Sequence, residues 1–173
     1  MPRVLLTGMS GTGKSTVIRE LAARGYRAVD TDEGGWSRLV AVGGDELTGP
    51  GGGQDWVWRE DRIDALLSTQ DTLFVSGCAP NQVRFYPRFD HIILLTAPAA
   101  VLAERLATRT TNTFGRRPGE IDRTLALQQT IEPLLRRAAD LVLDTTAAPD
   151  EVVEAVLRYA RLPPVAGQQV RKR

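Results

Sequence analysis

Eight residues near the N-terminus constrain this chain more than any others. Gly8-Met9-Ser10-Gly11-Thr12-Gly13-Lys14-Ser15 reads G-x-x-x-x-G-K-[ST], directly after the apolar run Val4-Leu5-Leu6-Thr7 and at the opening of the amphipathic run Ser15 to Leu21. A strand that turns at once into a helix through a glycine-rich loop gathers backbone N–H groups and the positive end of the helix dipole at one point, and that point attracts phosphate. Gly8, Ser10, Gly11, Thr12, Gly13, Lys14, Ser15 and Thr16 are therefore expected to cradle a nucleoside triphosphate. In that arrangement Lys14 reaches the β and γ phosphates and Ser15 offers its hydroxyl to Mg²⁺. Lysine usage agrees: the chain holds 20 arginines and only two lysines, Lys14 and Lys172. A compact ammonium on a flexible stem fits a phosphate nest where a planar guanidinium does not.

Beyond the loop, short apolar runs alternate with longer helical patterns, which predicts an α/β fold with a mainly parallel sheet. Strands are expected at Arg3–Thr7, Arg27–Asp30, Thr72–Ser76, His91–Leu95 and Asp140–Asp144. Helices are expected at Lys14–Arg24, Glu33–Val42, Trp56–Ser68, Pro98–Arg109, Glu120–Arg137 and Pro149–Arg161. A length of 173 residues fits one domain, here residues 1–162, followed by a tail, 163–173, with no periodic face and a basic end. Two stretches interrupt the alternation. The glycine-rich segment Gly43 to Asp55 is expected to form a mobile flap, and the polar segment Thr110 to Gly119, with Arg116 and Arg117, a second loop.

Charge and apolar patterning narrow the function. With Lys plus Arg at 22 and Asp plus Glu at 21, nothing favours nucleic acid or an anionic membrane as the main partner. The longest nearly apolar run, Ile92 to Ala103, is too short to cross a bilayer, and no export signal is legible, so a cytoplasmic location is expected. One cysteine, Cys78, and one histidine, His91, exclude a Cys/His zinc site and an internal disulfide. A base-reading Asn/Thr-Lys-x-Asp motif is impossible with lysine only at 14 and 172.

The run Val29-Asp30-Thr31-Asp32 closes the second strand at the carboxyl edge, where open α/β sheets bind ligands. The third strand ends in Ser76-Gly77-Cys78, without the Asp that often stands near Mg²⁺. Asp30 is thus the candidate for the metal's water shell, and Asp32 for accepting the proton of an acceptor hydroxyl. The same residues could instead only cap a following helix. Trp36, Trp56 and Trp58 lie in the part that would surround an acceptor, with Trp36 expected to line the pocket. On a helix, Trp56 and Trp58 could not share a face, so one is expected in the core. Cys78 is read as a small residue at a strand end and His91 as structural.

In these features the sequence resembles the small P-loop kinases of the shikimate kinase, gluconate kinase and nucleoside monophosphate kinase superfamily. Gly8 to Ser15, Asp30-Thr31-Asp32, Trp58-Arg59-Glu60, Ser76-Gly77, Glu104-Arg105-Leu106 to Arg109, and Ala139 to Thr145 fall in the expected order. The resemblance implies a three-layer fold with a five-stranded parallel sheet, ATP and Mg²⁺ as cofactors, and transfer of the γ-phosphoryl group to a hydroxyl of a small molecule. It implies acceptor contacts from Asp32, Arg59 and Gly77, adenine over Thr145 to Asp150, and lid arginines Arg109 and Arg116. Those two could equally be a solvated basic helix end. Two departures bear on the acceptor: one glycine, Gly77, stands where shikimate kinases carry three, and Asn81 stands where nucleoside monophosphate kinases carry a phosphate-gripping Arg, a loss Arg84 or Arg88 could offset. A nucleoside or nucleotide acceptor is the nearest alternative, and a regulatory ATPase switch that binds a protein partner is the alternative of another class.

Overall fold

The computed structural model describes residues 1–43, 53–108 and 119–162. Five short strands, β1 (Arg3–Thr7), β2 (Arg27–Asp30), β5 (Leu73–Ser76), β6 (His91–Thr96) and β7 (Leu141–Asp144), form one parallel sheet in the order β2-β5-β1-β6-β7. All neighbours are parallel, so every strand delivers its C-terminus to the same edge. The phosphate loop leaves the middle strand, and the loops after β2, β5, β6 and β7 gather around it, as expected of a doubly wound sheet.

Successive residues of β1 point to opposite faces and are buried on both. Val4 and Leu6 pack with Phe74, Ile93 and Leu95 against α1 (Lys14–Ala23) and α5 (Pro149–Tyr159), through Val17, Ile18 and Leu21 on the former and Val153, Val156 and Leu157 on the latter. Leu5, Leu73, Val75 and Ile92 face the other way, onto Ile63, Leu66 and Leu67 of α2 (Glu60–Leu67) and onto Trp58, Phe85 and Phe89. Leu94 meets Ile131 and Leu135 of α4 (Glu120–Ala138). A further helix, α3 (Ala99–Thr108), carries Leu102 and Leu106 to the underside of the phosphate loop beside Gly11. Each such fully buried aliphatic side chain contributes about 1.5–3 kcal/mol, so the sheet that presents the site is held from both faces.

The region between β2 and α2 departs from the sequence expectation. In place of a helix over Glu33–Val42 the chain forms β3 (Ser37–Ala41), which pairs antiparallel with β4 (Gln54–Trp58), and α2 begins at Glu60 rather than Trp56. Gly34 and Gly35 take φ of +69° and +74°, a left-handed pair that interrupts any helix begun at Glu33. Arg62 holds this turn by donating to the carbonyls of Gly34 and Gly35 while its guanidinium lies 4.6 Å over the Trp36 ring. A 3₁₀ segment over Gln82–Arg88, unanticipated from the sequence, carries Phe85 into the core. Most of the glycine-rich flap, most of the Thr110 to Gly119 loop with Arg109 and Arg116, and the tail from 163 lie outside the described residues.

Candidate active site

The loop after β1 gathers its own side chains at the carboxyl edge of the sheet. Gly13, in a left-handed conformation, opens α1, and the Lys14 ammonium, almost fully buried, donates to the carbonyls of Gly8 (2.6 Å) and Met9 (2.9 Å). Thr12 closes the loop through its hydroxyl to the Met9 carbonyl at 2.8 Å. Ser10 and Thr16 lie half-buried on either side. The loop's conformation is thus fixed by its own side chains, with Lys14 at its centre.

Asp30 ends β2 directly beside the start of α1. The Ser15 hydroxyl donates to Asp30 Oδ2 at 2.6 Å, and Asp30 Oδ1 accepts the backbone N–H of Asp32 at 3.1 Å. Asp30 therefore caps its own turn, not a helix, and leaves Asp32 exposed above it. Between them Thr31 is buried. Its N–H (2.9 Å) and its hydroxyl (2.8 Å) both donate to the Ser76 carbonyl, and its hydroxyl accepts the indole N–H of Trp58 at 2.9 Å. The Ser76 hydroxyl, buried directly across from Asp30 in the parallel register, has no hydrogen-bond partner among the described residues.

Gly77 does not open a space for an acceptor. A Cβ there would sit 2.0 Å from Thr31 Oγ1 and 3.2 Å from the Trp58 ring, so the two side chains already occupy that volume. Asn81 is likewise committed: its Oδ1 accepts the Trp58 N–H at 2.9 Å and its Nδ2 donates to the Trp58 carbonyl at 3.0 Å. Arg84 pairs with Glu60 at 2.6 Å and Arg88 pairs with Asp64. The two arginines that could have replaced a missing phosphate grip are tied to α2. Arg59 is exposed at the start of α2, and its backbone N–H ties the helix to the Trp36 carbonyl.

The tryptophans divide as expected for a reason other than the expected one. On β4 Trp56 and Trp58 point to the same side. Trp58, at the base of the hairpin, is buried against Phe85, whereas Trp56 is 45% exposed beside its cross-strand partner Leu39. Cys78 follows Gly77 at the same sheet edge. Burial pushes its thiol above the ordinary value, opposed by the Lys14 ammonium and reinforced by Asp32. His91 stacks edge-on to Tyr159 at 5.3 Å, at the opposite end of β6 from the site.

Arg105, to which the sequence assigned no role of its own, bridges the phosphate loop and the last strand with its guanidinium, donating to Gly11 O (3.2 Å), Thr145 Oγ1 (2.9 Å) and Thr145 O (2.6 Å). Thr145 in turn donates to Thr96 O. Asp144, held below the usual carboxylate range by the Thr146 hydroxyl, the Thr146 N–H and more weakly Arg105, shapes the start of that loop. The signal was the spacing from Leu102 to Arg105 and Leu106, which places Arg105 next to a face that packs on Gly11.

A family model described as "AAA domain" matches residues 4–126. Shikimate kinase 2 of Yersinia enterocolitica is 30% identical over 164 residues, covering 89% of this chain and 92% of that one. The chain belongs to the shikimate kinase type of small P-loop kinases. It is an ATP-dependent phosphotransferase that acts on a small molecule. A nucleotide-binding protein of Acidiphilium cryptum is 32% identical over 149 residues, although this kinase spans only 43% of its length. The kinase shares its fold with a shikimate kinase from Acinetobacter baumannii solved in complex with shikimate, at a TM-score of 0.62 and 17% identity, over 93% of each chain. Among the described residues of the kinase, no helix is long and apolar enough to cross a membrane.

Proposed function

We propose that this kinase transfers the γ-phosphoryl group of ATP, with Mg²⁺, to a hydroxyl of a small acceptor bound between Asp32 and the β3–β4 hairpin, and that it does so in the cytoplasm. The observation that carries the reading is the contact of Ser15 with Asp30 at 2.6 Å, which joins the loop's metal-binding hydroxyl to the carboxylate ending β2. Mg²⁺ prefers hard oxygen donors and keeps most of its water, so one hydroxyl, phosphate oxygens and a carboxylate acting through water suffice. The partnerless Ser76 hydroxyl beside Asp30 is a further oxygen for such a shell. When bound, the ion neutralises charge on the β and γ phosphates.

In this reading Gly8 to Thr16 hold the triphosphate, and the Lys14 ammonium exchanges its carbonyl partners for phosphate oxygens. Asp32, exposed and held above Asp30, orients the acceptor hydroxyl and takes its proton. Arg59 and Trp36 line the acceptor side, Thr145 with Arg105 borders the base, and Arg109 and Arg116 neutralise the transferring group. Gly77 contributes packing that shapes the acceptor wall. The acceptor is not expected to be gripped as shikimate is, because the space at Gly77 is filled by Thr31 and Trp58, nor as a nucleoside monophosphate is, because Asn81, Arg84 and Arg88 are engaged elsewhere. ADP release measured with shikimate, sugars, polyols, nucleosides and nucleoside monophosphates tests this. Stimulation by a sugar or polyol supports it, and turnover of shikimate or of nucleoside monophosphates alone overturns the acceptor assignment.

A further inference from the structure

We propose that the indole N–H of Trp58, acting through Thr31, is the positioning group for the Asp30 and Asp32 carboxylates, so that the acceptor hairpin sets the geometry of the metal and phosphate side. The inference rests on the proposed roles of those two aspartates. Thr31 is the one residue between them, and all of its polar groups are engaged. Its N–H and hydroxyl both donate to Ser76 O, its hydroxyl accepts from Trp58 Nε1, and its carbonyl accepts the Ser37 hydroxyl at 3.0 Å. A backbone N–H bond alone leaves the peptide planes on either side of Thr31 free to rock. The side-chain bond to the same carbonyl removes that freedom, and Trp58 fixes the rotation of the hydroxyl that makes it.

Trp58 is itself an anchor that does not yield. Both of its backbone groups are held by the single side-chain amide of Asn81, its ring is 1% exposed, and the next residue is tied to Trp36. Core packing alone does not account for an indole here. A buried N–H is unfavourable unless it finds an acceptor, and a phenyl ring would fill most of the same volume without that requirement. The absent side chain at Gly77 lets the hydroxyl and the indole meet there. Three chain segments therefore converge on one hydroxyl: the end of β2, the end of β5 and the base of the hairpin. A shift of the hairpin on binding an acceptor is transmitted by this contact to the carboxylate that touches Ser15.

The test compares Trp58→Phe, Thr31→Val and, as the conservative control, Thr31→Ser in the full chain. Calorimetric titration with ATP is run in EDTA and in excess Mg²⁺, with circular dichroism and melting temperature recorded for each variant. Metal-free ATP binding reports the phosphate loop, and the gain on adding Mg²⁺ reports Asp30. The expected result is that Trp58→Phe and Thr31→Val bind metal-free ATP within about twofold of the parent, but lose about 5- to 10-fold of the Mg²⁺ gain, one net hydrogen bond's worth. Thr31→Ser should keep it. The double variant should lose no more than the worse single one, because both remove the same contact. A full Mg²⁺ gain in folded Trp58→Phe and Thr31→Val overturns the inference, even if both melt earlier. A parent chain whose ATP affinity ignores Mg²⁺ instead overturns the role given to Asp30. Should Trp58→Phe fail to fold, the comparison of Thr31→Val with Thr31→Ser decides the matter.

Discussion

Arg105 and Thr145 are locked together by two hydrogen bonds, 2.9 Å to the hydroxyl and 2.6 Å to the backbone carbonyl, while the same guanidinium reaches Gly11 O across the phosphate loop. One side chain on α3 thus joins two loops, one from the middle strand and one from the edge strand, that border the nucleotide in the proposed reading. Only a planar fork spans three acceptors in this way. Arg105→Lys should keep the charge yet weaken ATP binding by about 5- to 10-fold, the worth of roughly one net hydrogen bond. Calorimetry with ATP measures it, and an unchanged Kd would show that the bridge does not shape the nucleotide site.

Lys14 lies within the loop, donating to Gly8 O and Met9 O. In the proposed reading, Lys14→Ala removes the ammonium that meets the phosphate oxygens. Turnover should fall by at least about 10²- to 10³-fold, the usual penalty for losing a preorganised donor. The hydrophobic sheet beneath does not depend on that charge, so the circular dichroism spectrum should be unchanged. Retention of a tenth or more of the parent rate would remove Lys14 from the phosphate-binding role.

Asp32 sits exposed on a turn that Asp30 holds by accepting the Asp32 backbone N–H. Asp32→Asn preserves shape and hydrogen-bonding capacity while abolishing basicity. Its kcat should drop by about 10²- to 10⁴-fold, the range for losing a general base. ATP affinity should stay within about twofold. If ADP release in the presence of the preferred acceptor were unaltered, another group would have to take the proton.

The parallel sheet and the phosphate loop were legible because each residue there answers to one strong local rule. Val4 to Thr7 are apolar on both faces, and Gly13-Lys14-Ser15 must follow such a strand to work. The hairpin was not legible, because Trp36 to Val42 also fits a helical apolar stripe. What decides against the helix is the left-handed pair Gly34-Gly35 and a pairing partner, Gln54 to Trp58, beyond a long glycine-rich insertion. Asp30 and Asp32 were proposed from their place at the strand end, and the contact of Asp30 with Ser15 follows from that place. Trp58, Thr31 and Arg105 act through contacts 27 and 40 residues away in the chain, and no local pattern announces such bonds.

Gly77 is required by space. A methyl group there would overlap Thr31 Oγ1, whose hydroxyl is fixed by two hydrogen bonds in the core. Gly77→Ala should therefore destabilise the fold by about 1–3 kcal/mol, as overpacking does, lowering the melting temperature by roughly 2–12 °C. Thr31→Ala alone loses the hydrogen bonds, but in Gly77→Ala/Thr31→Ala the clash is gone. The double variant should be less destabilised than the sum of the singles. Strict additivity in a denaturant cycle would mean that the two residues do not compete for the same volume.

Cys78 gives the pocket a reporter whose response to pH has a definite sign. Burial raises its thiol above the ordinary 9.0, and the largest opposing influence is the Lys14 ammonium. The neutral thiol is therefore favoured by folding. Its contribution to stability is complete below the unfolded value near 9.0 and diminishes as pH climbs from there toward the folded value. Because only the thiolate attacks, iodoacetamide should label the native protein at pH 8 more slowly than urea-unfolded protein. Lys14→Ala should slow labelling further by removing the charge that favours the thiolate. Equal native and unfolded rates would show that burial does not raise the thiol, and unchanged or faster labelling in Lys14→Ala would show that the ammonium does not act on it.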